Sequence, residues 1–196
     1  MSPTRVGSRC LLVLLACGWL GAALPADAVS FALTPREREE AIRVGRKSIT
    51  SEEFGAEWRV SVGSDRTVTV MTPFHRLALA ARNSAFRNQE LTPRQVESLL
   101  REHEGKLVVW VTLRDGKADF ARFYAPVLVV EQQQIKANFT QNERTALRGE
   151  DGKYTARCMY VFPAAELNPK GKVTLIVRDP DERPVAKFTV DLAAMR

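Results

Sequence analysis

Six side chains between residues 73 and 104 have the chemistry to hold an anion: His75, Arg76, Arg82, Arg87, Arg94 and Arg101. A guanidinium presents a planar fork of N–H donors that fits carboxylate or phosphate oxygens, and it stays charged at any ordinary pH. Arg76 and Arg87 are eleven residues apart, three turns of a helix, so they project from nearly the same face. With His75 they form a candidate cationic surface for a phosphate, a lipid headgroup or an acidic partner. The competing reading is a solvated helix face, the usual place for charges opposite an apolar stripe, and it is favoured.

Other chemistries find less support. A metal site needs several converging donors, and the two histidines, His75 and His103, lie on different predicted helices. Neighbours within Glu102-His103-Glu104 point about 100° apart on a helix and cannot share one site. His103 therefore reads as part of a solvated helix end and His75 as a surface residue of a first helical turn. No metal and no cofactor is expected. There is no Gly-x-Ser-x-Gly elbow, and Cys158 sits in the middle of an alternating strand, so no catalytic residue is nominated. Glu37, Asp65, Asp115, Asp151, Asp179 and Asp181 fall at turns and helix starts, where carboxylates satisfy backbone N–H groups. Gly149-Glu150-Asp151-Gly152 lacks the lysine of a phosphate loop, and Asn138-Phe139-Thr140 matches a glycosylation acceptor but reads as strand.

The chain opens with an export signal. Arg5 and Arg9 precede an apolar stretch from Cys10 to Leu24, too short to cross roughly 30 Å of hydrocarbon, and Ala26-Asp27-Ala28 supplies a cleavage site. Residues 1–28 are the expected signal peptide and 29–196 a single mature domain, periplasmic or secreted. Alternatives are an uncleaved anchor helix and a lipoprotein anchored at Cys17, within Leu14-Leu15-Ala16-Cys17. Beyond residue 28 no stretch approaches 18 consecutive apolar residues, so no transmembrane span is expected. Losing Arg5, Arg9 and Asp27 lowers the net charge from +6 to +5, a modest excess that specifies no partner. Arginine outnumbers lysine 21 to 8, which suggests a GC-rich bacterial genome. Cys158 is then the sole cysteine and reads as a small buried hydrophobe. Nucleic acid is not expected, because export removes the usual substrate and no aromatics interleave with the basic residues.

Three Thr-Pro steps, at Thr34, Thr72 and Thr92, predict three helices. The first runs to about Ser48, with a thin apolar side at Ala41, Ile42 and Ile49, and is weakened by Gly45. The second buries Phe74, Leu77, Ala78, Ala81 and Ala85, and the third Val96, Leu99 and Leu100 before a Gly105 stop. Between the first two, Trp58-Val60-Val62 and Val68-Val70 form a hairpin around Gly63-Ser64-Asp65. From Lys106 onward the pattern is β. Leu107 to Leu113 is apolar on both faces and predicts a buried central strand. Asp115-Gly116 predicts a type I′ hairpin into a return strand, Ala118 to Glu131, bent or bulged at Pro126. Further strands are expected over Ile135 to Thr140, Tyr154 to Phe162, Val173 to Val177 and Val185 to Leu192.

The expected fold is mainly β: an antiparallel, immunoglobulin-like β-sandwich over about 106–192, with a helical N-terminal segment and a two-helix insertion over about 73–104. The alternative is an α+β open antiparallel sheet covered by helices. The expected function is a non-catalytic protein-interaction module of the bacterial envelope, binding another envelope or secreted protein. Its final strand is a candidate pairing edge, although Pro184 and Lys187 are residues that block edge pairing. The second reading is a binder of a small anionic ligand or lipid headgroup, and the third a hydrolase with unassigned carboxylates.

Overall fold

The structure, a computed structural model, describes residues 30–196; the expected export signal over 1–28, with Cys17, lies outside the described residues. Helix α1 (Pro35–Lys47) starts where its capping box requires: Thr34 Oγ1 accepts the Glu37 N–H at 3.3 Å and Glu37 Oε2 accepts the Thr34 N–H at 2.6 Å. A hairpin of β1 (Arg59–Val62) and β2 (Arg66–Met71) follows, turning through Gly63 at φ +66°. Helix α2 (Pro73–Phe86) begins one residue after β2, and α3 (Pro93–His103) repeats the Thr-Pro start. Both insertion helices therefore stand at the end of the sheet where β2 stops and β3 (Lys106–Asp115) starts.

Gly45 is more than a weak point of α1. A Cβ there would lie 2.1 Å from the Ala78 carbonyl oxygen of α2, so the glycine permits the two helix backbones to meet. The cost in helix propensity is offset by that close approach.

The remaining strands are β4 (Ala125–Val130), β5 (Gln133–Lys136), β6 (Phe139–Gln141), β7 (Leu147–Arg148), β8 (Tyr154–Pro163), β9 (Lys172–Arg178) and β10 (Pro184–Asp191). They form two sheets. The first has the order β1-β2-β3-β8-β6, with β7 also on β8; the second has the order β10-β9-β4-β5. All pairings are antiparallel, and the inner faces of both sheets contribute to one core with α1 and α2. The chain is thus a β-rich α+β protein with two antiparallel sheets and three helices. No helix among the described residues is long and apolar enough to cross a membrane.

Four expectations change. Asp115-Gly116 does not turn a hairpin: both flanks of β3 are occupied, by β2 and β8, so the chain leaves through turns over 116–124 and starts β4 in the other sheet. Gly116 accordingly lacks a positive φ. Pro126 causes no bulge. It lies in the register β4 shares with β9, one residue before pairing with β5 begins at Val127, so its missing N–H breaks no β4–β5 rung. The expected strand from Ile135 to Thr140 is two strands in different sheets, because the chain crosses between them at 137–138. Finally, β3 is central but not buried on both faces. Leu107, Val109, Val111 and Leu113 are buried, whereas Trp110 on the other face is 38% exposed. The last strand, β10, is an edge of the second sheet, with β1 of the first sheet alongside it.

Candidate functional site

Strand period sorts the first sheet into two faces. On the inner face, the register aligns Val68, Val111 and Cys158, all fully buried. On the outer face, Thr69, Trp110, Met159 and Gln141 form one cross-strand row, and Met71, Val108, Val161 and Phe139 form the next. Trp110 and Phe139 remain 38% and 49% exposed there. A central strand that leaves an indole open to water forgoes burial of one of the largest apolar side chains.

Two depressions meet at Trp110. One, of ≈ 460 Å³, has Val108, Trp110, Phe139, Met159 and Val161 as its apolar floor and is bordered by Arg76, Glu102, His103, Lys106 and Asn138. The other, of ≈ 540 Å³, runs over Thr67, Thr69 and Thr112 and is bordered by Arg59, Arg82, Arg157, His75 and Phe54. Together they are lined by five cationic side chains, Arg59, Arg76, Arg82, Lys106 and Arg157, against one carboxylate, Glu102. That imbalance gives the lining of the face a net positive charge.

The candidate anion-binding residues are dispersed. Arg76, in the first turn of α2, enters the smaller depression; its Nε–H is buried and meets no acceptor. Arg82 is engaged internally. Its Nη2 donates to the Ser51 carbonyl at 3.1 Å, and its guanidinium lies 4.8 Å over the Phe54 ring. Arg87 caps the end of α2, Arg94 lies in the first turn of α3 and Arg101 in its last, all three exposed. Arg76 and Arg87 thus do not line a common site. Arg76 enters a depression, whereas Arg87 stays outside both.

Neither histidine is at the surface, contrary to expectation. His75 is 4% exposed because the first turn of α2 is pressed between β2 and the segment before β1. Its ring stacks on the Trp58 indole, centroids 4.2 Å apart and 4° from parallel, and meets Phe54 edge-on at 6.0 Å. Its Nδ1 lies 2.9 Å from the Val70 carbonyl oxygen, which can only accept, so Nδ1 carries the proton. Burial, helped by the nearby Arg76 charge, lowers its pKa against the opposing pull of that hydrogen bond. His103 repeats the arrangement at the end of α3. It is 8% exposed, its Nδ1–H donates to the Leu99 carbonyl at 3.0 Å, and burial followed by Arg76 holds its pKa down. The helix end is covered only on its His103 side, while Arg101, Glu102 and Glu104 remain exposed.

Trp110, Met159, Lys106 and His103 were missed as site residues. The signal was present in part: Val108, Trp110, Thr112 and Arg114 alternate with the core set and end in polar residues. Cys158 is fully buried, and burial raises its thiol pKa. Asp115 and Asp179 do line one depression, of ≈ 340 Å³, between the sheet ends. Each holds its own turn: Asp115 Oδ1 accepts the Gly116 N–H at 2.6 Å, and Asp179 Oδ1 accepts the N–H groups of Asp181 and Arg183 at 3.0 and 2.9 Å. A larger depression of ≈ 640 Å³ beside β5 places Lys136, Arg178 and Glu182 around Pro126 and Val127, without an exposed large aromatic.

No family model matches the chain, and no curated protein matches it. A crystal structure of a protein of unknown function from Burkholderia pseudomallei is similar over 83% of this chain and 92% of that one, at 12% identity and a TM-score of 0.43. A likeness of that degree carries no argument about the site.

Proposed function

We propose that the chain is a non-catalytic binding module of the bacterial envelope, which holds a segment of another envelope or secreted protein on the outer face of its first sheet. Trp110 carries this reading: an exposed indole at the middle of a central strand, with Met159, Phe139 and Val161 around it, is a typical anchor of a protein interface. The surrounding cations select the segment's chemistry, an apolar side chain flanked by acids. The reading takes the two sheets as the expected sandwich and the chain as exported. The arginines of the insertion enter through Arg76 and Arg82, not as a single cationic helix face.

Photo-crosslinking tests it. A benzophenone side chain at position 110, in the protein expressed in its own host, should form a defined adduct with one envelope protein. The same group at position 187, on the edge strand β10, should not. Adducts at 187 and none at 110 would replace this face with edge pairing.

A further inference from the structure

Resting on that docking face, we propose that its smaller depression is a carboxylate subsite in which Arg76 and His103 clamp an acidic side chain of the bound segment, while the neighbouring apolar side chain covers Trp110.

Three observations support it. First, the Arg76 side chain makes no ion pair or hydrogen bond among the described residues. The guanidinium borders the depression with its charge uncompensated, and a carboxylate entering that space supplies the counter-charge. Arg82, six residues along the same helix, has its partners already. Second, His103 is more than nine-tenths buried, lines the same depression, and has given its Nδ1–H to Leu99, so Nε2 is left for an occupant. Third, the apolar floor of Val108, Trp110 and Met159 adjoins these groups within one ≈ 460 Å³ space, enough for one apolar and one acidic side chain.

The charge arrangement also makes binding proton-linked. The charged groups around His103 are Arg76 from α2, Glu102 from α3 and Lys106 from β3; the β6 and β8 residues lining the depression are neutral. Lys106 Nζ already donates to the Glu102 carbonyl at 3.0 Å and contributes charge at longer range. Neutral His103 offers only a lone pair at Nε2, which repels a carboxylate. A bound carboxylate supplies the counter-charge that burial and Arg76 deny the imidazolium, so binding takes up a proton at Nε2 and tightens as pH falls.

The probe is 4-phenylbutyrate, with 4-phenylbutyramide and acetate beside it, titrated into the purified protein and followed by the Trp110 indole and His103 ring resonances. We expect the carboxylate to shift both sets of resonances and to bind about tenfold more tightly than the amide. Affinity should rise roughly three- to tenfold from about pH 8 to about pH 6. Arg76→Gln should abolish the preference for carboxylate over amide, and Arg76→Lys should retain part of it, which separates lost charge from lost folding. His103→Gln should flatten the pH dependence. Equal binding of carboxylate and amide at Trp110 would overturn the subsite and leave the docking face standing. Acetate binding as tightly as phenylbutyrate, without shifting Trp110, would overturn it in favour of a small free anion. An unchanged pH slope in His103→Gln would remove the histidine from the clamp. Silence at Trp110 with every probe would overturn the subsite, with the crosslink at position 110 deciding the face separately.

Discussion

The two faces of the first sheet are built by the same strands and have opposite fates. Residues of β3 and β8 that point inward, Val109, Val111, Cys158, Tyr160 and Phe162, are closed off by the second sheet and the helices. Their neighbours one position along, Trp110 and Met159, point outward into a face that α2 and α3 cover only at one end. An alternating strand therefore carries two separate messages, and only the inward one concerns stability. The outward one has Trp110, Met159 and Phe139 beside threonines and arginines, and the proposed docking reading rests on those apolar side chains.

Substitutions across the two faces test the contrast directly. Phe162→Ala, on the inner face, should cost about 3–5 kcal/mol in chemical denaturation, because a fully buried ring leaves a cavity the sheets cannot close. A loss of less than about 1 kcal/mol would mean the inner face is not the core. Cys158→Ser should cost about 1–3 kcal/mol, since a hydroxyl enters a site packed for sulfur. The same burial should leave the native thiol unreactive to alkylating reagents until the protein unfolds.

The buried imidazoles add a pH test. Both His75 and His103 have pKa values lowered by folding, so the unfolded chain binds protons first. Stability should be complete above the ordinary histidine value of about 6.5 and should fall as pH drops below it. His75→Phe keeps a ring against Trp58 and removes one titration. The variant should show a shallower loss between about pH 7 and about pH 5, even though the unpaired Val70 carbonyl lowers its stability throughout. A slope as steep as in the unsubstituted protein would mean that His75 is not held neutral. The smallest expected effect is on the outer face: Trp110→Ala should change stability by no more than about 1 kcal/mol while abolishing co-purification of the partner that the position-110 crosslink identifies. If Trp110→Ala were as costly as Phe162→Ala, the contrast between the faces would collapse.

Much of the local structure could be read from the residues alone. The three Thr-Pro starts are stereochemical instructions, and the inward sets Val173-Leu175-Val177 and Ala186-Phe188-Val190 alternate without interruption. What failed were inferences about which strand lies next to which. Asp115-Gly116 carries a strong hairpin signal, yet β3 has its neighbours supplied from elsewhere in the chain, and local turn chemistry yields to that competition. Gly45 read as a flaw in α1 because the Ala78 backbone it admits lies on another helix. The arginines of the insertion were legible as charges and not as contacts. Nothing in the order of residues separates Arg82, held by Ser51 and Phe54, from Arg76, which has no such partners. The outer face was missed for the same reason: alternation reports that a face exists, and only the assembled fold shows what stands over it.

The long ladder between β3 and β8 bears on how the protein forms. Its first rung, Asp115 with Tyr154, encloses residues 116–153, and that interval visits the second sheet and returns before β8 begins. Loop-closure entropy must be met before any of those ten pairs contributes, which places the chain among slow folders governed by non-local contacts. Trp110 gains its neighbour Met159 only when that ladder closes. A nascent chain released before β8 is complete would hold β3 paired with β2 alone, its other edge an apolar strand edge open to aggregation, and the speed of this closure sets how long that exposure lasts.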